Sequence, residues 1–439
     1  MIRWATQTGF CKRKGKLSPR DFLVLMTIGQ LGMKHASLAG MVAAIEARIT
    51  REALHYRFSK AAAAFLFKCL QFVLKQKFSH SDAIDTKLLR HFRRILIVDS
   101  SSWDVSSKLR GILPGSGGKA SAANCKLQTM YDYKSGELEF LDMTAGTIPD
   151  NRYTDNLPDM LQKGDLLLVD LGYFKFKTLA GIAAKDAFFL TRFLTRTVPK
   201  DPVTQSPIDL AKRLGSFQGN ACEIDILMGD KKRHPVFCRL IALRVSDEIA
   251  NKRRRSLKRE ARKKGRSVSK RQLAMCDWTL LITNIPKQWL PMEMVRVLYS
   301  VRWQIELLFK QLKSILRVHQ SDTGNENRLR CELYGKLIGV TLIHRIHATE
   351  TTRFWNSKRR EVSMEKFYKR FQERAFTLFC LLLRSFREAI AYLDGQINRF
   401  INVCFKHRQP SRMTTLETLE FQVDPKINFA KLSSDCKHA

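Results

Sequence analysis

Two short apolar runs, each ending in an aspartate, constrain the fold of this chain most strongly. Residues 93–99 read RRILIVD and residues 165–170 read DLLLVD. Continuous β-branched and aliphatic runs of this length predict strands that are buried on both faces of a sheet. Asp99 and Asp170 then lie at the carboxyl ends of two strands, where open sheets tend to place their functional sites.

The segments around these runs predict a mixed α/β sheet. Two strand-like runs, CKLQTMYDY and ELEFLDMTAG, flank turn residues 134–136 and predict a hairpin. Residues 149–162 are predicted to form a helical crossover, and residues 187–283 contain four more strand-like runs. The order of strand, hairpin, helix and strand favours a sheet with carboxylates at its strand ends.

Helical patterns occupy residues 17–80 and most of the chain after residue 292. Ser18, Ser37 and Thr50 each precede a helical run and are predicted to cap it. The two short helices after Ser37 and Thr50 could form a helix-turn-helix that offers Arg51, His55 and Arg57 to DNA. Simple packing of a helical hairpin is the alternative explanation.

The charge of the chain indicates a polyanionic partner. Its 439 residues include 77 lysines and arginines against 41 acidic residues, a formal charge of +36. This excess favours binding to nucleic acid or to an anionic membrane. A membrane span needs about 20 apolar residues, and the best run, residues 376–383, is much shorter. We therefore expect DNA as partner and no membrane segment.

The strongest basic block is residues 251–272, with twelve basic residues and one acid. Such blocks usually stay solvated and mobile until a polyanion binds, and a hydrated surface helix is the alternative. In either case Arg253, Arg254 and Lys263 are candidate DNA contacts.

The ten cysteines show no C-x-x-C pair. Their spacing therefore argues against a zinc module or a disulfide framework and favours reduced thiols in a cytosolic protein.

The stretch YSVRWQIELLFKQLK, residues 299–313, holds the third acid of interest. At about 100° per residue, a helix places Tyr299, Arg302, Glu306 and Lys313 within a sector of roughly 60°. An ordinary surface helix with a glutamate paired one turn away explains the pattern equally well by itself. Together with Asp99 and Asp170, however, Glu306 completes a set of hard oxygen ligands for Mg²⁺ or Mn²⁺.

Three such carboxylates predict a phosphoryl-transfer site. Two divalent ions would activate a water or a 3′-hydroxyl and stabilise the leaving oxygen. Arg302, Tyr299 and Lys313 fit beside them as a bidentate fork, a hydroxyl donor and a point charge for phosphate. On so basic a chain, the chemistry points to a nuclease or a strand-transfer enzyme.

These residues resemble the bacterial insertion-sequence DDE transposases defined by the pattern Y-x2-R-x3-E-x6-K, which Tyr299, Arg302, Glu306 and Lys313 match in full. The first aspartate of that family is followed by small hydroxyl residues, as Asp99 is here, and the second stands in D-x-G-Y/F, as Asp170 does. The resemblance is strong over residues 93–180 and 276–345. It also implies that Trp278 stacks on an unpaired base, although a core role is equally compatible and Trp289 and Trp303 compete for it.

The resemblance implies an α/β fold with a ribonuclease-H-like mixed-sheet core, interrupted by a β-rich insertion and flanked by helical terminal regions. The implied regions are a DNA-end-binding part at 1–90, the catalytic core at 91–186 and 284–345, the insertion at 187–283, and a helical region for protomer pairing at 346–439. It implies a metal-dependent enzyme of the bacterial cytoplasm and nucleoid. Such an enzyme binds terminal inverted repeats as a homodimer in a synaptic complex, cuts there, and joins the ends to target DNA.

Two other hypotheses compete with this one. An inactive or domesticated copy, acting as a repressor or architectural DNA-binding protein, would explain the positive charge equally well. Three carboxylates facing phosphates would, however, weaken a protein that only binds DNA. A metal-dependent hydrolase that never transfers strands is the third possibility.

Overall fold

The fold is described from a computed structural model of the full chain. The structure describes all residues except 14, 34–36, 46–48, 77–82, 118–120, 231–232, 322, 408–412 and 423–439. The polar tail that the sequence predicts to be poorly ordered beyond residue 409 therefore lies largely outside the described residues.

The predicted strands all form, and they belong to one mixed sheet. Its order is β3-β2-β1-β4-β5-β8-β7-β6. β1 and β5 are parallel to β4, whereas β8, β7 and β6 follow in antiparallel pairs. The strands are β1 Ile95–Asp104, β2 Asn124–Asp132, β3 Glu137–Ala145, β4 Leu166–Val169, β5 Phe188–Arg192, β6 Ala221–Asp230, β7 Arg233–Arg244 and β8 Trp278–Thr283.

The two acid-terminated runs form the buried centre of this sheet. Ile95 pairs with Leu166 and Ile97 with Leu168 in parallel register, and these side chains have no exposed surface. A polar side chain inside either run would have to be buried without hydrogen bonds, which would destabilise the sheet. Asp99 and Asp170 stand where the burial ends, as the sequence predicts.

Helices make up most of the remaining chain. They are α1 Ile2–Gln7, α2 Pro19–Val24, α3 Gln30–Gly32, α4 Leu38–Ala44, α5 Arg51–Arg57, α6 Lys60–Lys75, α7 Leu157–Met160, α8 Phe176–Ala183, α9 Leu210–Gly215, α10 Asp247–Lys263, α11 Lys270–Ala274, α12 Met292–Ser300, α13 Trp303–Ser314, α14 Glu326–Lys358, α15 Met364–Arg384, α16 Phe386–Phe400 and α17 Thr415–Phe421. A π-helical turn, Leu25–Gly29, connects α2 to α3. The predicted caps are confirmed: Ser18, Ser37 and Thr50 each accept a backbone N–H.

Two expectations about secondary structure are wrong. The crossover at 149–162 contains only short 3₁₀ turns and the four-residue α7, since Pro158 restricts the residue before it. Residues 299–313 do not form one helix: α12 ends at Ser300, and α13 begins at Trp303.

The basic block follows the second of its two predicted alternatives, a surface helix. Most of it lies in α10, which has Asp247 and Glu248 in its first turn.

Contacts within the chain divide it into two compact units. Unit 1 consists of residues 1–84, 99–149 and 304–408, and unit 2 of residues 85–98, 150–303 and 409–439. Each unit is thus built from separated stretches of the chain, and the two parts of β1 belong to different units. Among the described residues, no helix combines the length and the apolar character that a membrane span requires.

In unit 1, α14 packs closely against the π-helical turn through a glycine. A Cβ atom on Gly335 would lie 2.2 Å from the Met26 carbonyl oxygen, so the backbone there would have to move. We expect Gly335→Ala to lower the free energy of unfolding by about 1–3 kcal/mol. The matched control is Gly395→Ala in α16, where a Cβ would meet nothing within 4 Å and should add about 0.5–1 kcal/mol. Urea denaturation measures both changes, and equal effects would contradict the close packing.

Two buried histidines of unit 1 make its stability dependent on pH. Burial is the main cause that lowers the pKa of His344 to about 3 and that of His347 to about 4. The unfolded chain, with histidine pKa values near 6.5, binds more protons than the folded chain below that pH. The free energy of unfolding is therefore highest above about pH 6.5. It falls as the pH drops towards 4, by roughly 1 kcal/mol per histidine and pH unit.

Urea denaturation between pH 7.5 and 5 checks this dependence. Replacing His344 by Gln removes one titrating group and should lower the slope of unfolding free energy against pH by about half. An unchanged slope in that variant would show that other groups set the acid sensitivity.

Candidate active site

In unit 2, the end of β4 presents Asp170 beside a tyrosine and an arginine. The Tyr299 hydroxyl lies 3.4 Å from Asp170 Oδ1 and 3.5 Å from the Val169 carbonyl oxygen. Burial, followed by the charge of Asp170, raises the pKa of Tyr299 to about 12. The phenol therefore stays protonated and can donate a hydrogen bond to the carboxylate.

Arg192 is the site residue that the sequence reasoning missed. Its Nε lies 4.0 Å from Asp170 Oδ1, so that a cation stands beside this acid. The parallel register pairs Val169 with Thr191, so that the next residues of the two strands become neighbours. An arginine at the end of the strand-like run AFFLTRF was the available signal.

Arg302 belongs to the same part of unit 2. Its side chain is buried, and its guanidinium carbon lies 6.0 Å from the centre of the Tyr299 ring. The turn between α12 and α13 is held by bonds from Val301 N to Leu298 O and from Arg302 N to Tyr299 O. Unit 2 thus brings together Asp170, Tyr299, Arg192 and Arg302.

Unit 1 holds the end of β1 and the helix that carries the glutamate. Asp99 Oδ1 accepts the backbone N–H of Ser100 at 2.8 Å. Lys313 Nζ, on α13 with Glu306, donates to the Ser102 carbonyl oxygen at 2.8 Å and lies 5.8 Å from the Trp103 ring centre. Burial lowers the pKa of Lys313. The lysine thereby joins the helix of Glu306 to the strand of Asp99.

A buried ion-pair network fixes the starts of β1 and β4 in unit 2. Asp165 has no exposed side-chain surface and accepts from Arg94 Nη2 at 2.6 Å, Arg93 Nε at 2.9 Å and the Gln162 N–H at 2.8 Å. Burial would raise the pKa of Asp165, but these hydrogen bonds outweigh it and lower the pKa. The basic pair of RRILIVD is therefore structural, a role that the sequence reasoning did not assign.

The predicted DNA contacts of the basic block differ in how far they are free to bind. Arg253 donates to the Trp278 carbonyl oxygen and to Thr279 Oγ1, both at 2.9 Å, and Arg254 pairs with Asp277. These two arginines attach α10 to β8. Lys263, in the last turn of α10, is exposed, as are Lys252, Arg255, Lys258, Arg259 and Arg262 on the same helix.

Trp278 is covered rather than exposed. It is 5% exposed, and the Arg244 guanidinium lies 4.5 Å from its ring centre. The ring centre of Phe217 lies 6.1 Å from that of Trp278, with the two rings tilted. A base could stack there only after Arg244 moved, so the stacking role stays a prediction. Of its competitors, Trp289 packs on Phe92 and Phe188.

Trp303, the other competing tryptophan, is 54% exposed.

The two N-terminal arginines that the sequence predicts as DNA contacts lie on α5 in unit 1. Arg51 is exposed, whereas Arg57 donates to the Leu17 carbonyl oxygen at 3.2 Å and lies 5.6 Å from the Phe10 ring centre. Arg51 is thus the freer of the two.

The grouping and the chemistry of the acidic side chains bear on metal binding in different ways. Within the described ranges, no three His, Cys, Asp or Glu side chains lie close enough together to hold one metal ion. The chemistry of the donor set still fits Mg²⁺, because carboxylate oxygens are its preferred ligands. The ligand roles of Asp99, Asp170 and Glu306 stay predictions.

The chain is similar to transposases of bacterial insertion sequences. The chain is 29% identical over 396 residues to the transposase for insertion sequence element IS231F of Bacillus thuringiensis subsp. israelensis, covering 85% of this chain and 83% of that one. It is 28% identical over 386 residues to the IS1151 transposase of Clostridium perfringens, covering 83% and 81%.

Among solved structures, a piggyBac transposase synaptic complex with hairpin DNA aligns with a TM-score of 0.46 and 11% identity, over 93% of this chain and 83% of that chain.

Residues 90–342, more than half of the chain, match the family described as Transposase DDE domain. That range contains Asp99, Asp170 and Glu306, the acids that the two units place at strand ends and on α13. The chain therefore belongs to the DDE transposases, enzymes that cleave DNA and transfer its strands.

Proposed function

We propose that this transposase recognises the terminal inverted repeats of its own insertion sequence, cuts at the element boundary and joins the 3′-hydroxyl ends to target DNA. The observation that carries the proposal is the environment of Asp170, a carboxylate at a strand end with Tyr299 and Arg192 beside it. A structural acid would be closed off by short ion pairs, as Asp165 is. The similarity to insertion-sequence transposases supports the same function.

Asp99, Asp170 and Glu306 are proposed to hold one or two Mg²⁺ or Mn²⁺ ions. When bound, such ions supply Lewis-acid activation of the attacking oxygen and charge stabilisation at the leaving oxygen. The side chains of this chain do the positioning. Tyr299 donates its hydroxyl, Arg302 offers a guanidinium fork and Lys313 a point charge to phosphate oxygens near the scissile bond.

Arg192 is proposed to share this positioning work. In the absence of DNA its guanidinium partly neutralises Asp170 at 4.0 Å. A phosphate approaching the end of β4 would attract the same guanidinium, since arginine binds phosphate and carboxylate with the same fork of N–H groups. Arg192 would thereby leave Asp170 available as a ligand.

The finer family assignment is also a proposal. The full match of Tyr299, Arg302, Glu306 and Lys313 to Y-x2-R-x3-E-x6-K supports membership of that subgroup, with a ribonuclease-H-like core at 91–186 and 284–345 and the β-rich insertion at 187–283. The mixed sheet, with three parallel strands at its centre, is compatible with that core. The terminal regions, 1–90 and 346–439, would bind DNA ends and pair protomers.

The exposed lysines and arginines of α10 are proposed as a DNA-backbone surface. Their charges lie on a helix that Arg253 and Arg254 anchor to the sheet, so the surface is preformed. Binding through phosphates makes affinity strongly dependent on salt. We place this activity in a homodimeric synaptic complex in the cytoplasm of the bacterial host, at the nucleoid.

A strand-transfer assay tests the proposal. Labelled duplexes carrying the ends that flank this gene are incubated with the protein, Mg²⁺ and a supercoiled plasmid, with a chelator as control. Joining of the labelled 3′ ends to the plasmid is the expected result. Cleavage without joining would favour a hydrolase, and specific binding without any cut would favour a DNA-binding relic.

A further inference from the structure

A cleft in unit 1 lies between the N-terminal helices and α14. Its volume is about 710 Å³, within the range of roughly 300–1,000 Å³ typical of small-molecule sites. One wall comes from α3, α4 and α5, and the other from α14 and the loop 316–321 that follows α13. A single nucleotide fits a space of this size, whereas a duplex does not.

The loop wall of the cleft is held by two buried charged residues of α14. Glu332 accepts from Ser321 Oγ at 2.6 Å and from Arg328 Nε at 2.7 Å. Lys336 Nζ donates to the carbonyl oxygens of Gln320 at 2.5 Å and Arg317 at 3.2 Å. Both acid and lysine are 4% exposed. The wall is therefore preformed and needs little ordering when a ligand binds.

The cleft is positively charged. Four cations line it, Arg51, Arg317, Arg328 and Lys336, against two acids, Glu52 and Glu332, which leaves a formal charge of +2. Because Glu332 pairs with Arg328 and Lys336 binds carbonyl oxygens, the exposed Arg51 is the cation best placed for an anionic ligand. A phosphate group has the matching charge.

One buried side chain that lines the cleft has a polar atom without a hydrogen-bond partner among the described residues. Gln30 lines the cleft and is 4% exposed. Its Nε2 contacts only the weak acceptor Met26 Sδ at 3.2 Å, and among the described residues its Oε1 has no hydrogen-bond donor. Buried amide oxygens are normally hydrogen-bonded. An N–H donor on a ligand in the cleft would supply the missing bond.

The mouth of the cleft carries an exposed aromatic ring. Tyr56 lines the cleft and is 82% exposed, with the His55 ring at 5.9 Å in an edge-on contact. A solvent-facing tyrosine beside cations is the arrangement on which proteins stack unpaired bases. Stacking, a phosphate site and an edge acceptor thus lie in one cleft.

We propose that this cleft binds one unpaired nucleotide of a DNA strand, with the base on Tyr56, a base N–H donor at Gln30 and the phosphate at Arg51. This inference rests on the proposed function, because the strand would come from a DNA end. The loop 316–321 directly follows α13, which carries Glu306 and Lys313. An occupied cleft would therefore connect the N-terminal helices to the helix of the catalytic glutamate.

Fluorescence anisotropy with the full-length protein tests the proposal. The probes are a labelled five-nucleotide single strand of mixed sequence and a labelled duplex of matched length, with dAMP as competitor. Tyr56→Ala should weaken single-strand binding roughly tenfold, and Gln30→Met, which keeps the length but removes the acceptor, about fivefold. Duplex affinity should change less than twofold, and Phe386→Ala, an exposed aromatic on α16, should leave both affinities unchanged.

Several results would overturn the proposal. Unchanged single-strand affinity in the Tyr56 variant would do so, as would equal losses for single strand and duplex. Because Tyr56 is on the surface, its variant gives an answer even if the Gln30 variant unfolds. The dAMP competition also tests the source of the nucleotide. If dAMP displaced the strand and bound as tightly as the strand does, the cleft would be a site for a free nucleotide, and the proposal would be overturned.

The strand-transfer assay, run on the same preparation, separates this test from the proposed function. If the wild type joins ends and the variants bind single strands normally, only the cleft proposal fails. If the wild type neither binds nor joins ends, the proposed function itself fails.

Discussion

Replacing Asp170 by Asn is expected to reduce DNA cleavage by about 10³-fold, because the proposed metal ligand, which would contribute several kcal/mol to transition-state stabilisation, loses its charge. The fold should survive, since the contacts of the Asp170 side chain with the described residues are long, 3.4 Å to Tyr299 and 4.0 Å to Arg192. Binding to the element ends should stay the same or become tighter, because a charge that repels phosphate is removed. A gel shift and a nicking assay on the same duplex measure both effects.

The matched control is Asp186→Asn in the same unit. Asp186 pairs with Lys163 on the surface, with 71% and 83% of the two side chains exposed, and exposed pairs of this kind contribute little. Its variant should cut as the wild type does. If Asp170→Asn retained cleavage within threefold, the carboxylate would not be a metal ligand. If it lost binding together with cleavage, misfolding would be the cause.

The second large effect is expected on stability, at Asp165. Asp165→Asn removes the buried charge that Arg94 and the partly exposed Arg93 share, and we expect the free energy of unfolding to fall by about 3 kcal/mol. The loss should grow smaller only below about pH 3.9, the unfolded-state pKa of an aspartate, because the folded-state pKa of Asp165 is lowered. The stabilisation is fully present above the unfolded-state pKa and is lost as the pH falls towards the folded-state pKa. Guanidinium denaturation at pH 7 and pH 3 measures the difference.

Asp159→Asn is the control for that measurement. Asp159 is 84% exposed and pairs with Lys185, so that its loss should change stability by less than about 0.5 kcal/mol. A loss below 1 kcal/mol for Asp165→Asn would show that the buried network is not needed to join β1 to β4.

The strands and the acids at their ends were predictable from the sequence because burial on both faces leaves an uninterrupted apolar run. Arg192 was not predictable in the same way. Its place beside Asp170 depends on the register of β4 and β5, which residues distant in the chain determine. The interruption of residues 299–313 at Val301 and Arg302 was also hidden, because both residue types are compatible with a helix.

The nucleotide cleft illustrates a second limit of sequence reasoning. Gln30 follows a π-helical turn that packs against Gly335 of α14, more than 300 residues along the chain. Neither the π-helical turn nor the long-range contact has a local signature. By contrast, the caps Ser18, Ser37 and Thr50 act within three residues, and all three were predicted correctly.

The central claim is that three carboxylates make this chain a DNA-cutting enzyme, and Glu306→Gln tests it most directly. Wild type, Glu306→Gln and the surface control Glu365→Gln, whose residue pairs with Lys369 on α15, are compared for Mg²⁺-dependent nicking of duplexes that carry the element ends. The account predicts nicking at the element boundary by the wild type and by Glu365→Gln, and none by Glu306→Gln, with equal end binding by all three. Equal nicking by the wild type and Glu306→Gln would contradict it.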